Sequence, residues 1–387
     1  MIYKTDKKSG NQLSALGLGC MRFKGDKKET ERMILTAIEK GVNFFDTAYI
    51  YPNSEKTLGD ILVKHHLREK IYLATKLPFL KCRTYDDFDR FFYEQLTRLK
   101  TTYIDYYFLH NITGCEQWQQ YKEMGIEKWI AEKKATGEIK QIGFSYHGTS
   151  DDFIHIIADY SWEFTMIQYN YADQFYQAGM KGLKAAAEKD IPVMIMEPLL
   201  GGRLATGLPK SATNLFAKFD KNRLPAEWAF RWLWNQEEVT VVLSGMNSEE
   251  MMLENLASLD RFTPLTQEEL AIYDQVVEEF KKAYKIKCTA CDYCLPCPKG
   301  INIPACFSAY NNSYSQGFIT GMMLYVTSTA GNSHQPKGAS TCIHCGICVK
   351  KCPQNLAISD DLKKVSKRFE SLPLRLGMAA VRKVMNR

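Results

Sequence analysis

Cys342, Cys345, Cys348 and Cys352 repeat as C-x2-C-x2-C-x3-C and run into Pro353. Upstream, Cys288, Cys291, Cys294 and Cys297 repeat as C-x2-C-x2-C-x2-C and run into Pro298. Thiolates at this spacing can close around a cubane of iron and sulfide. Three come from one short loop, and the fourth, ahead of the proline, reaches across to a second cluster. That crossed rule would put Cys288, Cys291, Cys294 and Cys352 on one cluster and Cys342, Cys345, Cys348 and Cys297 on the other. Eight of the twelve cysteines lie in the two runs, which points to a redox protein carrying two [4Fe–4S] clusters. The upstream run has one residue fewer before its Cys-Pro, so the iron that Cys297 ligates stays open. Zinc is the competing metal, but it usually takes ligands as two separated pairs, which three evenly spaced cysteines plus a Cys-Pro fit poorly. Disulfides compete too, yet no N-terminal stretch has the apolar core and cleavage site of an export signal. Cys20, Cys82, Cys115 and Cys306 lack such spacing and are expected to be buried structural thiols.

A second group of reactive side chains sits at the ends of short apolar runs: Asp46, Tyr51, Lys76 and His110. A tyrosine serves as a proton donor only if its pKa is brought down from about 10. A neighbouring ammonium would do that by stabilising the phenolate. An aspartate paired with the lysine would hold it charged and oriented, and a neutral histidine could donate a hydrogen bond to a carbonyl oxygen. Together they suit protonation of an oxygen while hydride arrives at the adjacent carbon.

These side chains need a scaffold that brings them to one rim. Eight β-rich runs are legible: Leu16–Met21, Asn43–Thr47, Ile71–Lys76, Ile104–His110, Gln141–Tyr146, Phe164–Tyr169, Val193–Pro198 and Val239–Ser244. Helical patterns at Glu29–Lys40, from Ser54, and at Tyr85–Leu99, Gly179–Lys189, Pro225–Asn235 and Ser248–Leu259 alternate with them. Eight strand–helix units over roughly 250 residues predict a (β/α)8 barrel, whose chemistry collects at the C-terminal strand ends. A doubly wound open sheet is the alternative, disfavoured because no Gly-x-Gly-x-x-Gly follows the first strand. Residues 1–13, turning at Ser9-Gly10-Asn11, are expected to form a hairpin under the barrel floor. The expected organisation is a barrel over residues 1–283, a small, mostly helical dicluster domain over 284–358, and a basic helical tail over 359–387.

The segments Gly41-Val-Asn-Phe-Phe-Asp-Thr-Ala-Tyr-Ile-Tyr51, Ala74-Thr-Lys76, Asp105-Tyr-Tyr-Phe-Leu-His110, Ile142-Gly-Phe-Ser145 and Glu254-Asn255 resemble the aldo-keto reductases. The resemblance spans about residues 1–283 and implies an NAD(P)H-dependent carbonyl reductase. Its catalytic tetrad falls on Asp46, Tyr51, Lys76 and His110. Its nicotinamide-carboxamide contacts fall on Ser145 and Gln168, with the companion asparagine replaced by Tyr146, and its adenine contact falls on Asn255. The stacking aromatic would fall at Met196, and the basic pair for a 2′-phosphate at Gly245 and Met251, so NADPH is not favoured over NADH. Arg203, after Gly201-Gly202, is a candidate for a phosphate contact instead, with a plain solvated arginine as the alternative reading. The tail resembles the ferredoxin-type extension of some bacterial and archaeal aldo-keto reductases. Its 44 residues between Cys297 and Cys342, with helical spacing of Phe307, Tyr310 and Tyr314, favour a helical dicluster module over a compact ferredoxin.

A formal charge of +6 is mild and implies no nucleic-acid partner. Part of it lies in Lys363, Lys364, Lys367, Arg368, Arg375, Arg382 and Lys383, read as a solvated helix face, with a docking surface for an acidic electron carrier or a membrane surface as the alternative. No run of eighteen apolar residues suggests a membrane span, and reduced cysteines point to the cytoplasm. The expected partners are a small carbonyl substrate and a ferredoxin- or flavodoxin-like electron carrier. In one reading the clusters relay electrons to or from the reductase. In the alternatives they are structural or sensing, or the barrel is a regulatory subunit without turnover. Loop aromatics at Tyr49, Pro78–Cys82, Cys115–Trp118 and Tyr171–Tyr176 are expected to wall the substrate pocket.

Overall fold

The computed structural model describes residues 1–23, 26–330 and 337–371 and divides into two compact units. The first comprises Met1–Pro198 and Ala229–Leu265, the second Leu199–Trp228 and the chain from Thr266 onward.

In the first unit, a hairpin of β1 (Tyr3–Thr5) and β2 (Gln12–Ser14) precedes eight parallel strands. These are β3 (Leu16–Gly19), β4 (Phe44–Asp46), β5 (Tyr72–Leu77), β6 (Ile104–Ile112), β7 (Ile139–Tyr146), β8 (Phe164–Gln168), β9 (Val193–Met196) and β10 (Val239–Ser244). They close in sequence order, with β10 pairing β3, so the expected (β/α)8 barrel is the observed architecture. The first strand is shorter than its apolar run because Cys20–Arg22 tightens into a single 3-10 turn. Between the strands run α1 (Lys27–Glu39), α2 (Ser54–Lys64), α3 (Tyr85–Leu99), α4 (Cys115–Glu123), α5 (Ile126–Ala135), α6 (Ser150–Asp159) and α7 (Gly179–Glu188). The helices α4, α5 and α6 were not read from the sequence.

Packing explains the closure. Phe44, Tyr106, Phe108, Phe164, Met166, Met194 and Val241 fill the interior, joined by Leu13 from the hairpin. Phe108 meets Phe164 edge-on at 4.6 Å and Phe44 meets Tyr106 at 5.2 Å. Such pairs add about 0.5–1.5 kcal/mol beyond their buried area. The hairpin is pinned from below: the Tyr106 hydroxyl donates to Asp6 at 2.7 Å and accepts from the Asn11 amide at 3.1 Å. Gly17 faces this interior, where a Cβ would lie 2.8 Å from Val241.

The second unit holds α8 (Lys210–Ala217), the first turn of α9 (Pro225–Trp234) and α11 (Gln267–Ala283). The helix between these last two, α10 (Glu249–Asp260), belongs to the first unit. Beyond them come α12 (Ile303–Ser315), α13 (Phe318–Ala330), α14 (Ile347–Lys350) and α15 (Ile358–Phe369). Helices thus dominate here, as the cysteine insert implied. Phe216 stacks on Trp228 at 4.8 Å, and Thr266 with Glu269 forms a capping box that starts α11. A second core gathers Ile286, Ile301, Ile303, Phe307, Tyr325, Val365 and Phe369 with Cys288, Cys294 and Cys348. Gly201 lies so close to the Thr289 carbonyl that a Cβ would stand 2.1 Å from its oxygen. The chain after β9 therefore packs directly on the upstream cysteine loop. Of the basic tail, Lys363, Lys364 and Lys367 are exposed on α15, while Arg375, Arg382 and Lys383 lie outside the described residues. Among the described residues no helix is long and apolar enough to cross a membrane.

Candidate functional site

Parallel register carries the polar strand ends to one rim. Asp46 pairs with Ala74 of β5, and Lys76 with Phe108 of β6, two residues before His110. The Lys76 Nζ donates to both oxygens of Asp46, at 2.6 and 2.7 Å, and to the Thr47 carbonyl at 2.7 Å. It also stands 5.0 Å from the centre of the Tyr51 ring, which meets His110 edge-on at 6.2 Å. All four candidates named from the sequence therefore converge. Burial pushes the Asp46 carboxyl up and the Lys76 ammonium down, and their mutual bonds oppose both shifts. Burial, then the Lys76 charge and His147, hold His110 well below the usual histidine range, so it is a neutral imidazole.

A network behind the lysine was not anticipated. Glu55, 2% exposed at the start of α2, accepts from Thr75 at 2.7 Å, from Gln95 at 2.7 Å and from Arg98 at 3.2 Å. Gln95 in turn donates to the Lys76 carbonyl at 3.1 Å and accepts from Tyr107 at 2.7 Å. A buried acid at a helix start was the available signal; its partners are distant in sequence. Ser54 ties the same corner together, donating to the Cys20 carbonyl at 2.8 Å and pairing with Thr47 at 2.7 Å.

Ser145 at the end of β7 accepts from the Asn111 backbone at 2.8 Å, and Gln168 ends β8, both buried. Tyr146 does not take the place of the missing amide. Its ring turns outward against Phe153 at 5.2 Å, and its hydroxyl is committed to the Thr149 carbonyl at 2.8 Å. The side chains that follow Ser145 on the inward period are instead those of His147, whose pKa burial lowers to about 4. Asn111 offers a different substitute. The β6–β7 register shifts between Leu109 and Ile112, Asn111 adopts a positive φ of 62°, and its Oδ1 is buried with no protein donor. Bulges re-aim side chains in this way beside active sites, and a buried acceptor without a donor suits a ligand's N–H.

The remaining contacts are more dispersed. Asn255 donates to Ser244 at 3.2 Å, and Met251 is 40% exposed. Gly245, where a phosphate-gripping base was missing, lies under Arg22: a Cβ there would be 3.5 Å from the Arg22 Cδ. Arg22 was overlooked because it precedes Gly245 by more than two hundred residues. Arg203 belongs to the second unit, directly after the turn Leu200–Gly202. Most loop aromatics expected to wall a pocket are packing groups. Tyr49 bonds Glu94 and stacks on Arg98, Phe79 packs on Tyr121, and Trp118 packs on Trp162. Phe175 alone of these is widely open, at 87%.

The cysteines sort into two cavities. Cys297, Cys342, Cys345 and Cys348 line one, with Ile343, Ile303 and Leu362; Cys288, Cys291, Cys294 and Cys352 line the other, with Pro304, Phe307 and Ile358. Burial, then Cys288, Cys291 and Cys352, push the Cys294 thiol up; burial, with Cys342 and Cys297 as further causes, does the same to Cys348. Thiolates that repel one another in an apolar shell are stable when cationic iron shares their charge. Of the isolated cysteines, Cys20, Cys82 and Cys306 are buried, whereas Cys115 is half-buried, with its Sγ 3.3 Å from Asp152.

The chain matches the aldo/keto reductase family over residues 15–278 and a 4Fe-4S dicluster domain over residues 287–357. It is similar to a Bacillus subtilis (strain 168) protein described as uncharacterized oxidoreductase YqkF, 27% identical over 314 residues, 70% of this chain and 96% of the relative. An aldo-keto reductase of Mycobacterium avium (strain 104) is 27% identical over 250 residues, 64% of this chain and 82% of the relative. Among solved structures, the holo form of aldo-keto reductase AKR11C1 from Bacillus halodurans aligns with a TM-score of 0.61 at 24% identity. The alignment covers 71% of this chain and 96% of that one, and speaks for the fold.

Proposed function

We propose, from the premise that this chain belongs to the aldo/keto reductase family, that it reduces an aldehyde or ketone to an alcohol with NAD(P)H. Its dicluster domain then holds two [4Fe–4S] clusters through crossed sets of four cysteines. The observation that carries the reductase reading is Lys76, locked onto Asp46 and poised over Tyr51 with a neutral His110 alongside.

A bound reduced nicotinamide supplies hydride to the carbonyl carbon. The residues of the chain handle everything else. Tyr51 gives its hydroxyl proton to the carbonyl oxygen, so that C–H and O–H bonds form as the C=O π bond is lost. The Lys76 ammonium stabilises the phenolate left behind, and Asp46 keeps that ammonium in place. His110 donates a hydrogen bond to the same oxygen. Ser145, Gln168 and the Asn111 Oδ1 orient the carboxamide, Asn111 filling the role that Tyr146 has vacated. Arg22 is the positive group best placed beside Gly245 for a phosphate of the cofactor.

For the clusters, the two four-cysteine cavities have the donor chemistry iron–sulfur cubanes require. Each cluster passes single electrons, whereas hydride carries a pair. The carbonyl reaction therefore balances without them, and their electron traffic is a separate property of the second unit.

The test is Tyr51→Phe, assayed as NADH and NADPH oxidation against a panel of carbonyl compounds. General acid catalysis is worth about 10²–10⁴-fold, so kcat should fall within that range while nucleotide binding persists. Unchanged turnover in Tyr51→Phe would falsify the reading.

A further inference from the structure

Charge in the dicluster region is one-sided. From Tyr293 to Ser359 there is no Asp or Glu, and Lys299, Lys337, Lys350 and Lys351 fall in this stretch. None of the four has an ion-pair partner among the described residues. Lys299 lines the downstream cysteine cavity together with Cys297, and Lys350 and Lys351 lie in sequence between two of the cysteines, Cys348 and Cys352. Lys337 stands over Gly300, its Nζ 2.5 Å from where a Cβ would be. Lys350 and Lys351 end and follow α14, which begins two residues after Cys345. The two acids that follow this stretch, Asp360 and Asp361, are engaged by Lys363 at 3.2 Å and Lys364 at 2.7 Å, and the Glu370 carboxylate beside Gly338 accepts from the Tyr325 hydroxyl, Ser340 and Ser366.

Within this basic stretch the surface is apolar and open. Ile343 is 56% exposed, Ile347 43% and Val349 37%, and Cys345 between them is itself exposed. The two cysteine cavities differ here: none of the upstream set is exposed, and Cys288 and Cys294 are buried. Aliphatic side chains beside a ligand thiol, in a stretch whose lysines lack ion-pair partners, give short distance to a redox centre together with long-range attraction for negative charge.

We infer that this face is the electron port of the protein and that its partner is a small acidic one-electron carrier protein. The inference rests on the cluster assignment above but not on carbonyl turnover. In the exchange one electron leaves the reduced carrier and one arrives at the cluster held by Cys297, Cys342, Cys345 and Cys348. No bond is made or broken and no proton moves. Lysines steer the carrier and set its orientation, and Ile343, Ile347 and Val349 form the dry centre of the contact.

The experiment uses the full chain, purified without oxygen and with iron and sulfide counted first. Binding is measured by calorimetry against an acidic flavodoxin and an acidic plant-type ferredoxin. Basic cytochrome c and vesicles containing phosphatidylserine serve as the contrasting probes. At least one acidic carrier should bind at low salt and weaken about tenfold as the ionic strength rises severalfold. K350E/K351E should weaken it by about tenfold again and flatten the salt dependence, with iron content and carbonyl turnover unchanged. If that double variant loses iron, the salt series on the wild-type chain and K350Q/K351Q carry the test. Absence of binding by both acidic carriers in iron-replete protein would overturn the port, as would equal binding by cytochrome c, binding to vesicles alone, or indifference to salt. Protein without iron would overturn the cluster assignment and the port with it, while leaving the Tyr51 test untouched.

Discussion

A single ammonium organises the candidate site. Lys76 makes three hydrogen bonds, all to acceptors on the neighbouring strand end, and is 1% exposed. A charge buried this deeply is tolerable only while paired. Removing the carboxylate in Asp46→Asn should therefore cost stability as well as rate. Its neighbour His110 has the opposite electrostatics: burial and the lysine keep it neutral. A histidine whose folded pKa lies far below its free value of about 6.5 does not change charge near neutrality. The kcat/KM profile of the wild-type enzyme should accordingly be flat through pH 6–7. An acid limb near pH 6.5 that vanishes in His110→Gln would contradict the neutral donor role.

At the scale of elements, the last turn of α15 controls the loop that enters the downstream cysteines. Glu370 accepts from the Tyr325 hydroxyl, from the Ser340 backbone at 3.0 Å and from Ser366 at 2.9 Å. Tyr325 also receives the Ala339 N–H at 2.7 Å, and Gly338 passes so near that a Cβ would lie 2.0 Å from the Glu370 carboxylate. Burial raises the Glu370 pKa, but the donors Ser340, Tyr325 and Ser366 outweigh it and the net shift is downward. A depressed carboxyl stabilises the folded state above its unfolded pKa, about 4.3, and the contribution is lost as pH falls through the folded value. Glu370→Gln should therefore lower the melting temperature at pH 7, and its gap to wild type should narrow as pH drops through the carboxylate range. A gap independent of pH would show that the charge is irrelevant. Helix α12 fastens the chain that follows α11: Asn311, 3% exposed, accepts the Lys285 and Ile286 backbone amides at 3.0 and 2.9 Å and donates to the Ile286 carbonyl.

For the whole molecule, the consequential feature is that the cysteines lining one cavity come from both ends of the cysteine region. Cys352 shares a cavity with Cys288, Cys291 and Cys294, more than fifty residues upstream. Cys352→Ser should thus perturb the cluster of the upstream run while leaving that of Cys342, Cys345 and Cys348 intact. Electron paramagnetic resonance of reduced protein should show one cluster signal altered and the other retained. Loss of the downstream signal instead would mean uncrossed ligation. The same unit takes in Leu199–Trp228, a segment within the reductase family match, through Gly201 against Thr289 and the Gln316 amide on the Leu208 carbonyl at 3.2 Å. The chain after β9 and the upstream cysteine loop therefore pack within one unit. The amino-acid sequence by itself determined the barrel, the tetrad and the cysteine runs, because strand alternation, strand-end polar residues and ligand spacing are short-range patterns. Only tertiary structure decided that Tyr146 turns away while Asn111 turns in, that Glu55 and Gln95 brace the lysine, and that Arg22 stands over Gly245. Each of these depends on which distant strands become neighbours, and barrel closure, rather than any local pattern, sets that.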